Sequence, residues 1–260
     1  LMVEQERVKA IIEKPGRPCS GIINTGAYRF SPSIFEELRH TPISERGSYE
    51  LTETISQMIA EGKEIVPRIS QGIWADAIFA WDLLNANNLA LNMLDMKISG
   101  ELEEGVRIKG PVYVGEGSII RSGSYLVGPV SIGEDCDIGP GAVILPTTSI
   151  GDSSRIGPHA EIRNSIIMND ARIGSAAIIS DSVVGASTTL SDQVVVESGP
   201  SVVEVEEAFI RAEFGAIIAD DVTVGSRALA SAGTVVGTGA RIGSGSRIRG
   251  CIERESRVVC

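Results

Sequence analysis

Aliphatic residues stand at every sixth position from Ile108 to Ile162, ten times in succession. Helices and strands repeat with periods of about 3.6 and 2.0 residues, so neither explains this spacing. Glycine often follows directly, as in Ile132-Gly133, and lets the backbone turn sharply there. A six-residue repeat of this kind indicates a β-solenoid, in which each hexad forms a short strand and a corner and three hexads close one coil. The coils are expected to stack ~4.8 Å apart with the aliphatic side chains inside.

The repeat continues past Ile162 with one slip and is interrupted once. It runs on through Ile167, Ile173, Ile179, Val184 and Leu190, and it returns from Ile218 to Ile248. Residues 199–214 break the spacing, which predicts an excursion from the solenoid. The excursion carries five large apolar residues, Val202, Val203, Val205, Phe209 and Phe214. Because so much apolar surface is rarely left in water, we expect a homotrimer with contacts along the solenoid.

Residues 1–97 follow a different, mixed α/β pattern. Three segments rich in β-branched residues predict strands over 8–12, 22–30 and 64–69. Capping residues and apolar stripes predict helices over 31–38, 51–59 and 81–93. We therefore place a domain boundary near residue 98, with a solenoid domain over 98–260.

Composition narrows the classes of partner. A net charge of -11 and a pI near 4.8 argue against nucleic acid and against an anionic membrane surface, because both are negatively charged. No apolar run approaches the ~18 residues of a membrane span, and we expect a cytoplasmic protein. The 4 cysteines show no C-x-x-C spacing and the chain has only 2 histidines, so a structural zinc site is not expected.

Five short motifs follow one another along the first region. They are Glu13-Lys14-Pro15, then Asn24 to Tyr28 (NTGAY), then Tyr49 to Glu53 (YELTE), then Trp74-Ala75-Asp76, then Trp81 to Leu84 (WDLL). In this order, and followed by hexapeptide repeats, they resemble the sugar-1-phosphate nucleotidylyltransferases, which include glucose-1-phosphate thymidylyltransferase and N-acetylglucosamine-1-phosphate uridyltransferase. The resemblance implies a mainly β chain: a left-handed parallel β-helix preceded by the C-terminal part of an α/β nucleotidyltransferase domain, here residues 1–97.

The resemblance also implies a reaction and a site. A sugar-1-phosphate oxygen attacks the α-phosphorus of a nucleoside triphosphate, and pyrophosphate leaves. Alignment and charge neutralisation drive such a transfer more than a protein nucleophile does, and no catalytic residue is assigned here. Glu13 is expected to bind sugar hydroxyls and Lys14 the sugar phosphate, while Asn24 and Gly26 border the sugar. Asp76 is expected to help hold Mg²⁺, which prefers oxygen ligands.

Two departures from the family pattern limit this expectation. The family usually has glycine soon after the Trp-Ala-Asp motif, whereas this chain has Ile78, which favours a reshaped metal loop. The family's glycine-rich nucleotide-binding loop and a second metal-binding aspartate are absent from the sequence. We therefore interpret the chain as the C-terminal portion of a longer enzyme that makes dTDP-glucose or a UDP-sugar, and we expect it to be inactive alone.

Two other functions stay open. The first is a sugar acyltransferase of the hexapeptide class, in which a histidine base precedes an Asp-Ser-Val turn. The turn is present at Asp181, but Ser175 stands where the histidine is expected, and a serine lacks a pKa suited to that role. His159 is the only histidine of the solenoid and is expected to be an exposed corner residue. The second alternative is a noncatalytic trimeric scaffold.

Overall fold

A computed structural model describes residues 1–13, 17, 20–44, 46–205 and 208–259 of the chain. The chain divides into two units, Leu1–Trp74 and Ala75–Cys260. This division comes earlier than the boundary near residue 98 expected from the repeat, because the segment that follows Trp74 packs against the solenoid.

The first unit contains a hairpin and two helices. Strands β1 (Met2–Glu4) and β2 (Arg7–Ala10) pair antiparallel, and they are followed by α1 (Ile34–Arg39) and α2 (Leu51–Ala60). The two helices lie where the sequence predicts them, and Ile55 is the most deeply buried apolar residue of α2.

The strands predicted over 22–30 and 64–69 are absent from the described residues of this unit. The segment around Ile22 turns at Gly26, whose φ of +75° is incompatible with an extended strand. The later segment meets β2 through a backbone hydrogen bond of 2.8 Å, from the Val8 N–H to the Ile65 carbonyl. Both segments are irregular loops.

The second unit begins with helix α3 (Asp82–Leu91) and continues as a long series of short strands. Strands before the interruption are β3 (Lys97–Ile98), β4 (Glu101–Leu102), β5 (Arg107–Lys109), β6 (Val112–Val114), β7 (Ile119–Ile120), β8 (Tyr125–Val127), β9 (Val130–Ile132), β10 (Asp137–Ile138), β11 (Val143–Ile144), β12 (Thr148–Ile150), β13 (Arg155–Ile156), β14 (Glu161–Arg163), β15 (Ile166–Ile167), β16 (Arg172–Ile173), β17 (Ile178–Ser180), β18 (Val183–Val184), β19 (Thr189–Leu190) and β20 (Val195–Val196). An antiparallel hairpin follows, formed by β21 (Gly199–Val205) and β22 (Ala208–Phe214). The strands after it are β23 (Ala216–Ile218), β24 (Thr223–Val224), β25 (Leu229–Ala230), β26 (Thr234–Val236), β27 (Arg241–Ile242), β28 (Arg247–Ile248), β29 (Cys251–Ile252) and β30 (Arg257–Val258). None of the helices in the described residues is long and apolar enough to cross a membrane.

Every third strand of the solenoid joins the same parallel sheet, so the coil has three faces. The face against which α3 packs, called the helix face, contains nine strands, from β3 to β29. The face that carries Arg155 and Arg172, called the arginine face, also contains nine, from β4 to β30. The face with the exposed side chains of Tyr125 and Ile178, called the apolar face, contains eight, from β5 to β28. Identical or similar residues are in register between coils, as Ile138 is with Ile156. The mainly β fold class and the parallel β-helix expected from the sequence are confirmed.

The six-residue repeat lines the interior as predicted. Ile120, Leu126, Ile138, Ile144 and Ile162 are each 0% exposed. The column also extends beyond the positions recognised in the sequence. It includes Val196 before the hairpin and Ile98, Ile252 and Val258 in the end coils.

A second position, two residues before most of the aliphatic residues, is also buried and usually holds a small side chain. Examples are Ser118, Ser124, Ala142 and Ser154. The Ser118 hydroxyl donates to the Gly133 carbonyl at 2.7 Å and accepts from the Cys136 N–H at 2.8 Å. Such contacts satisfy corner backbone groups that would otherwise be buried without a partner. The small residues therefore stabilise the corners of the coils.

Helix α3 and the hairpin cover the helix face. Leu84 of α3 and Val203 and Phe214 of the hairpin form one apolar cluster with Val183 and Ile217 of that face. The hairpin occupies the residues where the sequence predicts an excursion, and one side of it packs inward.

The inward side of the hairpin is fixed by stacked aromatic rings. The ring of Phe214 lies 5.0 Å from that of Trp81, which lies 4.7 Å from that of Phe79. Phe214 is 0% exposed, so the expectation that it contributes apolar surface for assembly is wrong. It is buried because the hairpin folds back on its own solenoid. Of the five apolar residues of the excursion, only Val202 and Phe209 are exposed.

Two adjacent isoleucines test the inward and outward positions of the repeat. Ile179 is 0% exposed, whereas Ile178 points outward and is 41% exposed. Ile179→Ala is expected to lower the free energy of unfolding by about 2–5 kcal/mol because it leaves a cavity. Ile178→Ala removes the same atoms and is expected to cost less than about 1 kcal/mol. Denaturant unfolding of both variants measures the difference, and equal losses would contradict the assignment of faces.

Candidate functional site

A cavity of about 650 Å³ lies in the first unit. Two irregular loops, Gly21–Phe30 and Ile65–Trp74, line one side of it, and Val8, Ile11 and Ile55 line the other. The cavity wall is mainly apolar, with polar groups supplied by the loops. Asn24 is among its lining residues, and its implied place beside a sugar stays a prediction.

The Asn24 side chain organises the first of these loops. Its Oδ1 accepts a hydrogen bond of 3.2 Å from the Gly26 N–H, and its Nδ2 donates to the Tyr28 hydroxyl. An asparagine that binds the backbone two residues ahead forms a local turn. Both ends of the amide are engaged, so Asn24 shapes the pocket wall through Gly26 and Tyr28.

Glu13 and Lys14 contribute less to the described geometry. Glu13 is exposed and has no hydrogen bond or ion pair in the described part of the chain. Lys14 lies outside the described residues. The roles implied for them by resemblance stay predictions.

Two arginines in the cavity wall were not predicted from the sequence. Arg29 and Arg68 line the cavity, and neither has an ion-pair partner among the described residues. Arg29 lies between Tyr28 and Phe30, whose rings stack with centroids 5.6 Å apart. Unpaired guanidinium groups attract phosphate. Nothing in the motif spacing distinguishes these two arginines from solvated ones.

Asp76 is exposed and belongs to the second unit. The described residues contain no group of three or more histidine, cysteine, aspartate or glutamate side chains able to hold a metal ion. A magnesium site of carboxylate oxygens needs more than one such ligand or a bound phosphate. The residues present therefore do not form a complete metal site.

The solenoid offers no acid–base pair at the place where an acyltransferase would have one. Ser175 donates its backbone N–H to Asp192 Oδ1 at 2.7 Å, and Asp181 Oδ1 accepts from Asn164 Nδ2 at 2.6 Å. His159 is an exposed corner residue with φ of +58°. Its ring lies against the preceding coil, where a Cβ added at Gly141 would be 2.6 Å from Nδ1. Neither position presents a histidine bound to a carboxylate.

Comparison with known proteins identifies both regions of the chain. Residues 2–92 match the nucleotidyl transferase family, and residues 126–252 match the GMPPB C-terminal domain family. The resemblance to sugar-1-phosphate nucleotidylyltransferases stated from the motifs is thereby confirmed. The chain carries a nucleotidyl transferase segment followed by a hexapeptide-type domain.

Three proteins of similar sequence illustrate the similarity. The bifunctional protein GlmU of Methanococcus aeolicus is 32% identical over 98% of this chain and 63% of its own length. A bifunctional sugar-1-phosphate nucleotidylyltransferase/acetyltransferase of Sulfurisphaera tokodaii is 37% identical over 47% of this chain and 30% of its own length. A glucose-1-phosphate thymidylyltransferase of Streptomyces antibioticus is 36% identical over 43% of this chain and 32% of its own length. The chain thus spans less than two thirds of the length of each of these relatives.

Gly26 provides a test of the pocket loop. Its φ of +75° disfavours any side chain, although a Cβ there would meet no atom within 4 Å. Gly26→Ala is therefore expected to cost about 1–2 kcal/mol of stability from the backbone alone. Gly21→Ala is the matched control, because Gly21 lies in the same loop, has equally open surroundings and lacks the left-handed φ. Thermal and denaturant unfolding measure both, and an unaffected Gly26→Ala would contradict the turn.

Proposed function

We propose that the protein transfers a nucleotidyl group from a nucleoside triphosphate to a sugar 1-phosphate, forming a nucleotide sugar. The bond between the α-phosphorus and the oxygen bridging to the β-phosphate breaks, and pyrophosphate leaves. The observation that carries the proposal is the nucleotidyl transferase match over residues 2–92, which contains the cavity bordered by Asn24. The product is expected to be dTDP-glucose or a UDP-sugar.

The cavity supports binding of the sugar phosphate. Its apolar wall suits the faces of a sugar ring, and the Asn24–Tyr28 turn supplies polar groups at one side. Arg29 and Arg68 provide positive charge for the phosphate. Glu13 is proposed to accept hydrogen bonds from sugar hydroxyls and Lys14 to neutralise the phosphate, as in the family it resembles.

The phosphate groups of the triphosphate require further neutralisation, which Mg²⁺ supplies when it is bound. We propose that Asp76 is one of the oxygen ligands. Because the described residues do not complete a metal site, no step of the reaction is assigned to them through the metal.

The activity test uses the full-length polypeptide encoded by the gene, with each nucleoside triphosphate, several sugar 1-phosphates and Mg²⁺. Pyrophosphate release is expected with at least one pair of substrates. Glu13→Ala is expected to raise KM for the sugar phosphate about tenfold or more through the lost hydrogen bonds, and Asp76→Asn is expected to lower kcat.

Glu4→Ala and Asp95→Asn are the matched controls, since both residues are exposed and lie outside the cavity wall. They are expected to leave both kinetic constants unchanged. The assignment fails if no substrate pair releases pyrophosphate. If Asp76→Asn alone is silent, only the role of Asp76 fails.

We also propose that the protein is a homotrimer. The exposed apolar residues Val202 and Phe209 lie on the outward side of the hairpin, and Tyr125 and Ile178 lie exposed on the apolar face. These residues form two apolar surfaces, the outer side of the hairpin and the apolar face, and each copy is proposed to present one of them to its neighbour. A contact between two different faces closes into a ring when each copy is rotated by about one third of a turn.

Phe209→Ser tests assembly without disturbing the interior, because Phe209 is 74% exposed. Sedimentation velocity is expected to give about three chains for the wild-type protein and a smaller species for this variant. Phe214→Ser is the contrasting change: Phe214 is 0% exposed, so this variant is expected to lower the melting temperature. A wild-type protein that is monomeric at micromolar concentration would contradict the trimer.

A further inference from the structure

A shallow groove of about 600 Å³ runs along the arginine face of the solenoid. Four successive strands of that face, β10, β13, β16 and β19, contribute side chains to it. At ~4.8 Å between coils, these strands extend over roughly 15 Å. The groove shares no lining residue with the cavity of the first unit.

One arginine of the groove is fully engaged by carboxylates. Arg121 donates from Nε and Nη2 to the two oxygens of Asp137 at 2.8 Å each, and from Nη1 to Glu103 at 3.1 Å. These hydrogen bonds hold the pKa of the Asp137 carboxyl below its usual value. Asp137 therefore stays ionised and paired with Arg121.

The next two arginines of the face have no such partner. Arg155 and Arg172 are in register on adjacent strands, directly after Asp137 in the same column. Both are exposed, and neither guanidinium forms a hydrogen bond or an ion pair among the described residues, although the charge of Arg155 also lowers the pKa of the neighbouring Asp137. Like charges directly opposite each other in a sheet are destabilising. Because Arg155 and Arg172 also line the groove, two neighbouring guanidinium groups present their positive charge to this space.

The remaining polar groups of the groove are hydroxyls and one carboxylate. Thr189 is in register with Arg172, and Ser191 and Ser226 lie further along the wall. None of these three hydroxyls has a hydrogen-bond partner among the described residues. Asp192 also lines the groove and already accepts the Ser175 N–H.

We propose that this groove binds the diphosphate group of a small anionic ligand. Each guanidinium pairs with one phosphoryl group, and its planar fork of donors matches phosphate oxygens better than an ammonium does. The hydroxyls beyond Arg172 donate to the rest of the ligand. The open, elongated shape suits a linear molecule such as pyrophosphate or a nucleoside diphosphate. The proposal does not depend on the nucleotidylyl transfer.

Calorimetric titration of the 260-residue chain with pyrophosphate tests the site. Binding is expected, and the double variant Arg155→Gln/Arg172→Gln is expected to bind roughly tenfold more weakly or worse, because charge-assisted hydrogen bonds are lost. The single variant Arg172→Gln is expected to fall between them. Circular dichroism melting shows whether the variants stay folded, as expected for exposed side chains.

The end of the same face provides a matched control. Arg241 and Arg257 are also in register, exposed and without ion pairs among the described residues, yet they lie outside the groove. Arg241→Gln/Arg257→Gln removes the same charge and is expected to leave binding unchanged. Equal weakening by the two double variants would overturn the proposal, since it would indicate attraction by net charge alone.

Comparing ligands identifies the source of the diphosphate. ADP and UDP binding more tightly than pyrophosphate would support a nucleoside diphosphate as the ligand, and equal binding would support the bare diphosphate. Failure of all three to bind at millimolar concentration would overturn the proposal. The measurement is of binding alone, so failure of the proposed nucleotidylyl transfer does not affect it.

Discussion

Stacking of coils in exact parallel register is the constraint on which this structure depends. Each inward aliphatic residue lies above another, as Ile138 does with Ile156, so every coil repeats the cross-section of the one before. The small buried residue two positions earlier sets the corner, and its hydroxyl, as in Ser118, satisfies the backbone of the next coil. The outward residues are free of this requirement. The outward residues can therefore differ from face to face. The helix face packs against aromatic and aliphatic side chains, the arginine face has adjacent arginines, and the apolar face exposes apolar side chains.

How much of this was predictable follows from which residues are under that constraint. The six-residue spacing predicts the interior of the solenoid because an aliphatic residue placed out of this spacing would point toward water instead of inward. It does not predict that Phe214 stacks on Trp81, because this contact joins residues far apart in sequence. The loop around Asn24 was expected to be a strand, since its β-branched residues resemble one, but the left-handed Gly26 prevents extension.

The candidate sites show the same division. Motif order pointed to Asn24 and Gly26; Asn24 lines the cavity and binds the Gly26 N–H, while their role toward a sugar stays a prediction. The arginines of the two binding surfaces were not recognised, because an isolated arginine in a sequence does not reveal whether a carboxylate will reach it. Arg121 and Arg155 illustrate this: both are outward residues of the same region, yet only Arg121 is held by a carboxylate. The carboxylates that bind Arg121 come from the neighbouring coils, at Asp137 and Glu103, and a short sequence motif does not show which residues of neighbouring coils meet.

The end coils differ from the middle of the solenoid. Ile108 and Val258 are only half-buried, whereas inward residues of the central coils are fully enclosed. Since each coil touches only its neighbours, the solenoid behaves as a one-dimensional stack in which a coil with one neighbour opens more easily than a coil with two. The groove proposed to bind a diphosphate and the residues on which the hairpin packs lie in the central coils. Substitutions in the coil after Ile248 would therefore loosen that part of the stack without reaching either surface.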